Sequence, residues 1–308
     1  MKKKILVIGG SHMELTMNMY KIPDVGETIR DDGGVAYIPG GSGIGWALAL
    51  SRLGAEAALT TKLGRDLHGQ QLYTYLREGG VDTSGVKVDA SLSTALYANI
   101  RTEGGVRRVI YEGACLTKDN IRDAFSTSPD ALTLSLDLPV ELTIYALACA
   151  EARGIPVFLD AVGAEDGYPL ESLPPVEIFS PNEEETEKLV GILPIGAQDS
   201  LRAAVSLYRR VKCKYLVIKQ GERGAFIYDG KHYFMIPPIN AGKPIDTSGA
   251  GDAFNAGLVL RYLISGGDIK GAVQYGSVVA GIAITKRGSA VSVPTEGEVI
   301  DFLEKYTS

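Results

Sequence analysis

Short apolar runs alternate with amphipathic stretches along most of the chain. KILVIGG, AEAALTTKLG, ALTLSLDL, IPVFLDA, EIFSPN and YLVIKQGERGAFIYDG have the length and composition of buried strands. Between them, GWALALSRLG, HGQQLYTYLREGG and ELTIYALACAEARG repeat their apolar residues at helical spacing. Strand–helix alternation predicts a mostly parallel sheet with helices on both faces. Ligands of such sheets bind beyond the carboxyl ends of the strands. Gly and Pro are spread evenly, with no long linker, repeat or low-complexity tract. One domain over residues 1–308 is therefore expected.

Two stretches depart from this pattern. Residues 14–38 are polar and irregular, with turn signals in KIPDVGET and DDGGVAY. Residues 93–112, STALYANIRTEGGVRRVIYE, read as a hairpin around Glu103-Gly104-Gly105. Neither belongs in a parallel sheet. Together they predict a small antiparallel flap over the ligand edge, of the kind that excludes water from chemistry; plain surface strands are the alternative.

Composition narrows the possibilities. With 308 residues and 45% hydrophobic content, the chain can bury a large core. A net charge of −6 argues against nucleic-acid or anionic-membrane partners. The opening MKKKILVIGGSHMEL is basic and then apolar, but the run is short and glycines follow it, so a buried strand fits better than an export signal. No stretch of eighteen apolar residues occurs, and no membrane span is expected. Cys115, Cys149 and Cys213 are scattered and odd in number, which fits a reducing, cytoplasmic setting. His12, His68 and His232 are far apart in sequence, so neither a zinc site nor a Ser-His-Asp hydrolase is signalled.

Three stretches carry candidate chemistry. In IDTSGAGDAFNAGL, residues 245–258, small residues lead directly into an apolar helix. The first N–H groups of a helix lack partners, and the helix dipole adds positive potential there. Gly249, Ala250 and Gly251 can thus form an anion hole for a transferring phosphoryl group, with Asp252 placed to take a proton from an attacking hydroxyl. A packing turn with an ordinary first-turn acid is the bland alternative. In FSPNEEETEKL, Ser180 with Glu183 fits a capping box, Pro181 suits the first helical position, and Glu184 reads as solvated. Asn182 and Glu185 then share one helical face, where they can organise the waters of Mg²⁺ around phosphates. In GGSGIGWALALSRLG, Gly40, Gly41, Gly43 and Gly45 either present N–H groups to a ligand or allow close helix–sheet packing. VIGGSHME lacks the third glycine of a dinucleotide fingerprint, and no GxxxxGK[ST] loop is present.

In this order, the pieces resemble the ribokinase-like (PfkB) family of carbohydrate and nucleoside kinases over nearly the whole chain. DTSGAGDAFNAGL is similar to its carboxyl-terminal signature and SPNEEE to its Asn-x-x-Glu motif; IPDVGET, SRLGAEAALTTKLGRDLHG and TKRGSAVSVPT also fit. The resemblance implies a three-layer α/β sandwich with a small antiparallel β lid. It also implies ATP- and Mg²⁺-dependent phosphorylation of a hydroxyl on a small sugar or nucleoside. Asp252 would be the general base above the anion hole of residues 249–251. Asn182 would bind nucleotide and Glu185 would hold Mg²⁺ through water. Lys219, Gly221, Gly224 and Ser277 match positions lying against the nucleotide. A monovalent cation such as K⁺ would sit among Asp246, Ser248, Ala283, Lys286, Gly288 and Ser292. Substrate would meet Glu14, Gly40, Gly41, Ser42, Gly45, Asp137 and Asp252, and lids of two copies would pair into a dimer.

Departures from the family pattern fall on the substrate side. Glu14 stands where ribokinases carry an aspartate, and the added methylene shifts sugar preference by ~1–3 kcal/mol. Gly45 replaces an asparagine, which removes a substrate amide and opens space beside Trp46. Asp137 replaces a glutamate, and Ser277 a frequent Asn or His. A pentose or hexose is favoured over a nucleoside, since the flap offers few aromatics: Tyr20, Tyr37, Tyr97 and Tyr111. A sugar phosphate would call for a basic cluster, for which Arg101, Arg107 and Arg108 are the candidates. A non-catalytic sensor on the same fold is disfavoured because Asp252 is retained, and a dinucleotide-dependent oxidoreductase lacks its fingerprint.

Overall fold

The computed structural model describes residues 2–288 and 292–306. In chain order its strands are β1 (Lys4–Ile8), β2 (His12–Asn18), β3 (Val35–Gly40), β4 (Glu56–Gly64), β5 (Val86–Asp89), β6 (Ala95–Thr102), β7 (Gly105–Tyr111), β8 (Ala131–Ser135), β9 (Val157–Asp160), β10 (Val176–Ser180), β11 (Cys213–Lys219), β12 (Ala225–Tyr228) and β13 (Tyr233–Ile236). The helices of three turns or more are α1 (Ser42–Arg52), α2 (Leu67–Glu78), α4 (Val140–Glu151), α6 (Ala197–Arg210), α7 (Ala250–Ile264), α8 (Ile269–Ala283) and α9 (Glu296–Tyr306); α3 (Lys118–Ala124) and α5 (Glu183–Val190) are shorter.

Nine strands form one sheet in the order β13-β12-β11-β10-β9-β8-β1-β4-β5. From β5 to β11 every neighbouring pair is parallel, and β12 and β13 close one edge antiparallel. All five residues of β8 are buried, as expected of a strand covered on both faces. One apolar core lies between the sheet and α1, α2, α7, α8 and α9. A second lies between the sheet and α3, α4, α5 and α6. Helix α6 shows why these segments are helical: Ser200, Ala203, Ala204 and Leu207 recur at helical spacing and face the core. The apolar pattern does not mark β5 and β13, four-residue edge strands with part-exposed side chains. From β1 the chain builds outward to β4 on one side and to β8 on the other, and this reversal opens a crevice at the carboxyl ends.

A second sheet, in the order β3-β2-β6-β7, stands over that crevice. The hairpin β6–β7 turns at Glu103-Gly104, as its sequence predicts. The lid is not antiparallel throughout, because β2 and β6 pair parallel. Both strands leave the main body at the lid's base and run outward in the same sense. Strand β2 also begins at His12, so the lid starts before the polar stretch that marks it in the sequence. Asp66 ties the base down: it caps α2 through the Gly69 N–H at 2.8 Å and accepts from Thr94 N at 2.7 Å, where the chain enters β6.

Close backbone approach explains the glycines at the start of α1. The Gly43 N–H donates to Gly10 O at 3.0 Å, and a Cβ on Gly9 would lie 2.8 Å from Gly43 Cα. Gly41 takes a φ of 103°, in the region that favours glycine. Gly9→Ala is therefore expected to destabilise the fold by about 1–3 kcal/mol. An unchanged urea midpoint would show that the corner between β1 and α1 is loosely packed.

Candidate active site

Helix α7 begins at Gly249, whose φ of 75° turns the chain sharply into the first helical turn. Ala250 N donates to Thr247 O at 3.2 Å and Ala253 N to Gly249 O at 3.0 Å. Among the described residues no acceptor meets the N–H of Gly251 or Asp252. The small-residue run thus leaves a pair of donors at a helix start, an arrangement suited to an anion.

Asp252 sits half-buried in that first turn. Burial and the nearby Asp160 carboxyl push its pKa up to about 8, against the opposing pull of Lys219. Its carboxylate lies against the backbone of α1, where a Cβ on Gly45 would overlap Oδ2. The space expected beside Trp46 is thus not an open substrate pocket. Asp252 fills it, because Gly45 has no side chain.

Beneath Asp252 lies a buried polar chain. Asp160, at the end of β9, is 0% exposed and accepts from Lys219 Nζ at 2.7 Å and from Asn255 Nδ2 at 2.6 Å. Asn255 Oδ1 accepts from Ser180 Oγ at 2.9 Å. Sequence reasoning missed Asp160 and Asn255. The available signal was an acid ending an apolar strand in IPVFLDA. Burial opposes the charge of Lys219, but Asp160 and Glu185 outweigh it, so its pKa stands above the usual lysine value.

Asn182 is the N-cap of α5, not a residue on its face. Its Oδ1 accepts from Glu185 N at 2.8 Å, while Glu185 Oε2 accepts from Asn182 N at 2.7 Å. The capping box therefore belongs to Asn182 and Glu185, two residues beyond the Ser180–Glu183 pair read from the sequence. Ser180 still lies in β10, and Glu183 is free to pair with Arg223. Burial raises the Glu185 pKa and Lys219 opposes the rise. Among the described residues no group of three or more His, Cys, Asp or Glu side chains could hold a metal. The hard oxygen donors beside Lys219 suit a cation that keeps its waters and sits on phosphates, as Mg²⁺ does.

Of the residues expected against a nucleotide, Lys219 ends β11 and is bridged to Asn182 through its N–H to Pro181 O at 2.8 Å. Gly221 and Gly224 bound a tight turn, closed by Gly224 N to Gly221 O at 3.1 Å. A Cβ on Gly224 would overlap Ile236 O. Ser277 is buried in α8, and its hydroxyl donates to Val273 O at 3.0 Å. Of the residues expected around a monovalent cation, Asp246 joins two loops: its oxygens accept from Ser248 N at 3.0 Å and Gly288 N at 3.1 Å. These bonds lower its pKa, the Ser248 N–H first. Ala283 O accepts from Lys286 N at 3.1 Å, Lys286 Nζ pairs with Glu298 at 2.5 Å, and Ser292 is buried.

Of the residues expected to meet substrate, Ser42 Oγ donates to Asp137 Oδ2 at 2.6 Å. Burial raises the Asp137 pKa to about 6, and the Ser42 bond opposes the rise. The N–H groups of Gly43 and Gly45 are spent on Gly10 O and Gly41 O, and Gly40 packs against the His12 ring, so this opening serves close packing. Glu14, on β2, accepts from Asn99 Nδ2 at 2.5 Å. His12 stacks on Tyr97 with centroids 3.6 Å apart. Burial, aided by Arg108, lowers the His12 pKa to about 4.

A model of the pfkB family carbohydrate kinases matches residues 2–296, and the chain belongs to that family. It is a sugar kinase, a phosphotransferase with an alcohol acceptor. Ribokinase of Haemophilus influenzae is 28% identical over 310 residues, covering 99% of both chains. The bifunctional ribokinase/ribose-5-phosphate isomerase A of Fructilactobacillus sanfranciscensis is 28% identical over 98% of this chain, which spans 56% of that protein's length. The structure of Arabidopsis thaliana ribokinase complexed with ribose and ATP superposes with a TM-score of 0.88 at 22% identity, over 99% of both chains.

The raised pKa of Asp252 has a consequence for stability. Its folded pKa of about 8 exceeds the unfolded carboxyl value, so stability is lost as pH rises from about 4 towards 8. Asp252→Asn should raise Tm relative to wild type at pH 8, with the gain shrinking towards pH 4. A difference independent of pH would place the carboxyl in a solvated setting.

Proposed function

We propose that the protein transfers the γ-phosphoryl group of ATP to a hydroxymethyl group of a small sugar, a pentose or hexose, with Asp252 as general base. The observation that carries this reading is Asp252 in the first turn of α7, where its own N–H and that of Gly251 meet no acceptor among the described residues. The acceptor oxygen attacks the γ-phosphorus, its proton passes to Asp252, and the bond to the ADP oxygen breaks. Charge building on the phosphoryl oxygens meets the open N–H groups of Gly251 and Asp252 and the ammonium of Lys219, while the Ala250 N–H is held by Thr247 O. ATP supplies the phosphoryl group and Mg²⁺ neutralises its charge. Glu185 would hold Mg²⁺ through water, with Asn182, Gly221, Gly224 and Ser277 lining the nucleotide. The names of the relatives, ribokinase above all, support this acceptor class, and the ribose and ATP of the Arabidopsis complex support the pairing.

A monovalent cation between the loops that Asp246 joins would steady the anion hole, since Ser248 lies next to Gly249. The test is ADP release in Mg²⁺ across pentoses, hexoses and nucleosides, run in K⁺ and in Na⁺. Asp252→Asn should keep ATP binding and cut turnover by about 10²–10⁴-fold. K⁺ should support faster turnover than Na⁺. An undiminished Asp252→Asn rate sinks the base assignment, and equal rates in the two salts sink the cation site.

Pairing of lids between two copies is part of the same reading. Alternation gives the lid one apolar face that includes Val35, Tyr37, Val109 and Tyr111, each more than half exposed. Such a face favours burial against its like. Sedimentation equilibrium should find a dimer that Val109→Asp dissociates; a wild-type monomer would end the idea.

A further inference from the structure

The polar face of the lid holds a cation that the reaction above leaves unused. Pairing register turns Glu14, Thr16, Tyr97, Asn99 and Arg108 to one face, and Arg107 to the other. That polar face is the more covered one at Asn99, while Val35, Tyr37, Val109 and Tyr111 on the other face are each more than half exposed. Tyr97 lies within electrostatic reach of Asp137 as well as of Glu112, Cys115 and Arg108. Asn99 is 3% exposed and lies between two charged partners. Its Nδ2 donates to Glu14 Oε1 at 2.5 Å, and its Oδ1 accepts from Arg108 Nε at 2.8 Å.

This amide orients the guanidinium. With Nε committed to Asn99, the edge carrying the two terminal nitrogens points elsewhere. Among the described residues no acceptor and no ion-pair partner meets those terminal nitrogens. A planar pair of N–H donors, fixed by its own side-chain neighbour, matches the two oxygens of a carboxylate. Glu14 is occupied on the other side of Asn99, so it does not neutralise Arg108 directly.

We propose that Arg108, oriented by Asn99, is a specificity residue that binds a carboxylate of the acceptor. The preferred substrate is then a sugar acid of the aldonic or ketoaldonic class. This rests on the kinase reading of the same cleft and names its substrate. A carboxylate fits better than a phosphate, because Glu14, Asp137 and Asp252 line the cleft and repel a dianion more strongly than a monoanion. The hydroxymethyl end of the acid faces Asp252, and the carboxylate faces the lid.

The experiment combines ligand-induced shifts in Tm with kinetics, on wild type, Arg108→Gln and Arg108→Lys. The probes are D-gluconate, 2-keto-3-deoxy-D-gluconate, D-glucose, D-ribose and D-glucose 6-phosphate. At least one acid should raise the Tm of wild type more than any neutral sugar or the phosphate. Its kcat/KM should exceed that of the best neutral sugar by on the order of 10–100-fold. Arg108→Gln should erase that preference and leave the neutral-sugar values near wild type, and Arg108→Lys should restore it in part by returning charge without the fork. Three results overturn the proposal: no acid shifts Tm, a neutral sugar or the phosphate is preferred, or Arg108→Gln weakens acids and neutral sugars alike. Acids that bind while no sugar or acid of the panel releases ADP would sink the phosphoryl-transfer reading and leave Arg108 standing as a carboxylate site. Neutral sugars that turn over while acids are ignored would do the reverse.

Discussion

The arrangement depends on one buried ammonium among carboxyls. Lys219 donates to Asp160 and lies within the electrostatic reach of Glu185 and Asp252. Without a cation there, the acids ending β9, capping α5 and opening α7 would meet with uncompensated repulsion. With it, three elements from distant parts of the chain converge on one point at the carboxyl ends of the sheet. Asp160 also grips Asn255, so the same ion pair sets where α7 begins relative to the sheet. The donors of its first turn, and Asp252 beside them, are positioned by that contact.

Glycine does the complementary work on the opposite wall. Gly43 brings α1 against Gly9 and Gly10, and Gly45 makes room for the Asp252 carboxylate. A side chain at either place would push α1 outward or displace Asp252. The glycines that resemble a ligand-binding loop are therefore consumed by packing, and the polar side chains on this side come from the lid and from Asp137. There, Asn99 links an acid and a base that are far apart in sequence, and strand alternation separates this polar face from an apolar one.

Much of this was legible in the chain. The alternation of strands and helices, the hairpin at Glu103-Gly104 and the small-residue turn before Asp252 follow from local rules of period, turn chemistry and helix starts. These rules act over a few residues and need no knowledge of neighbours. They misplaced one detail even so. Ser180 and Glu183 satisfy the spacing of a capping box, but β10 continues through Ser180, so the cap falls on Asn182 and Glu185.

What the sequence alone determined is thus the class of fold, the small-residue turn that opens α7 and the acid within it, because each depends on short-range geometry. Tertiary structure decided the rest. The parallel pairing of β2 with β6, the grip of Asp160 on Lys219 and Asn255, the filling of the Gly45 notch by Asp252, and the orientation of Arg108 by Asn99 all join residues far apart in the chain. Their energies come from desolvation and hydrogen bonding between groups that share no local pattern, so only the packed molecule could show which groups meet.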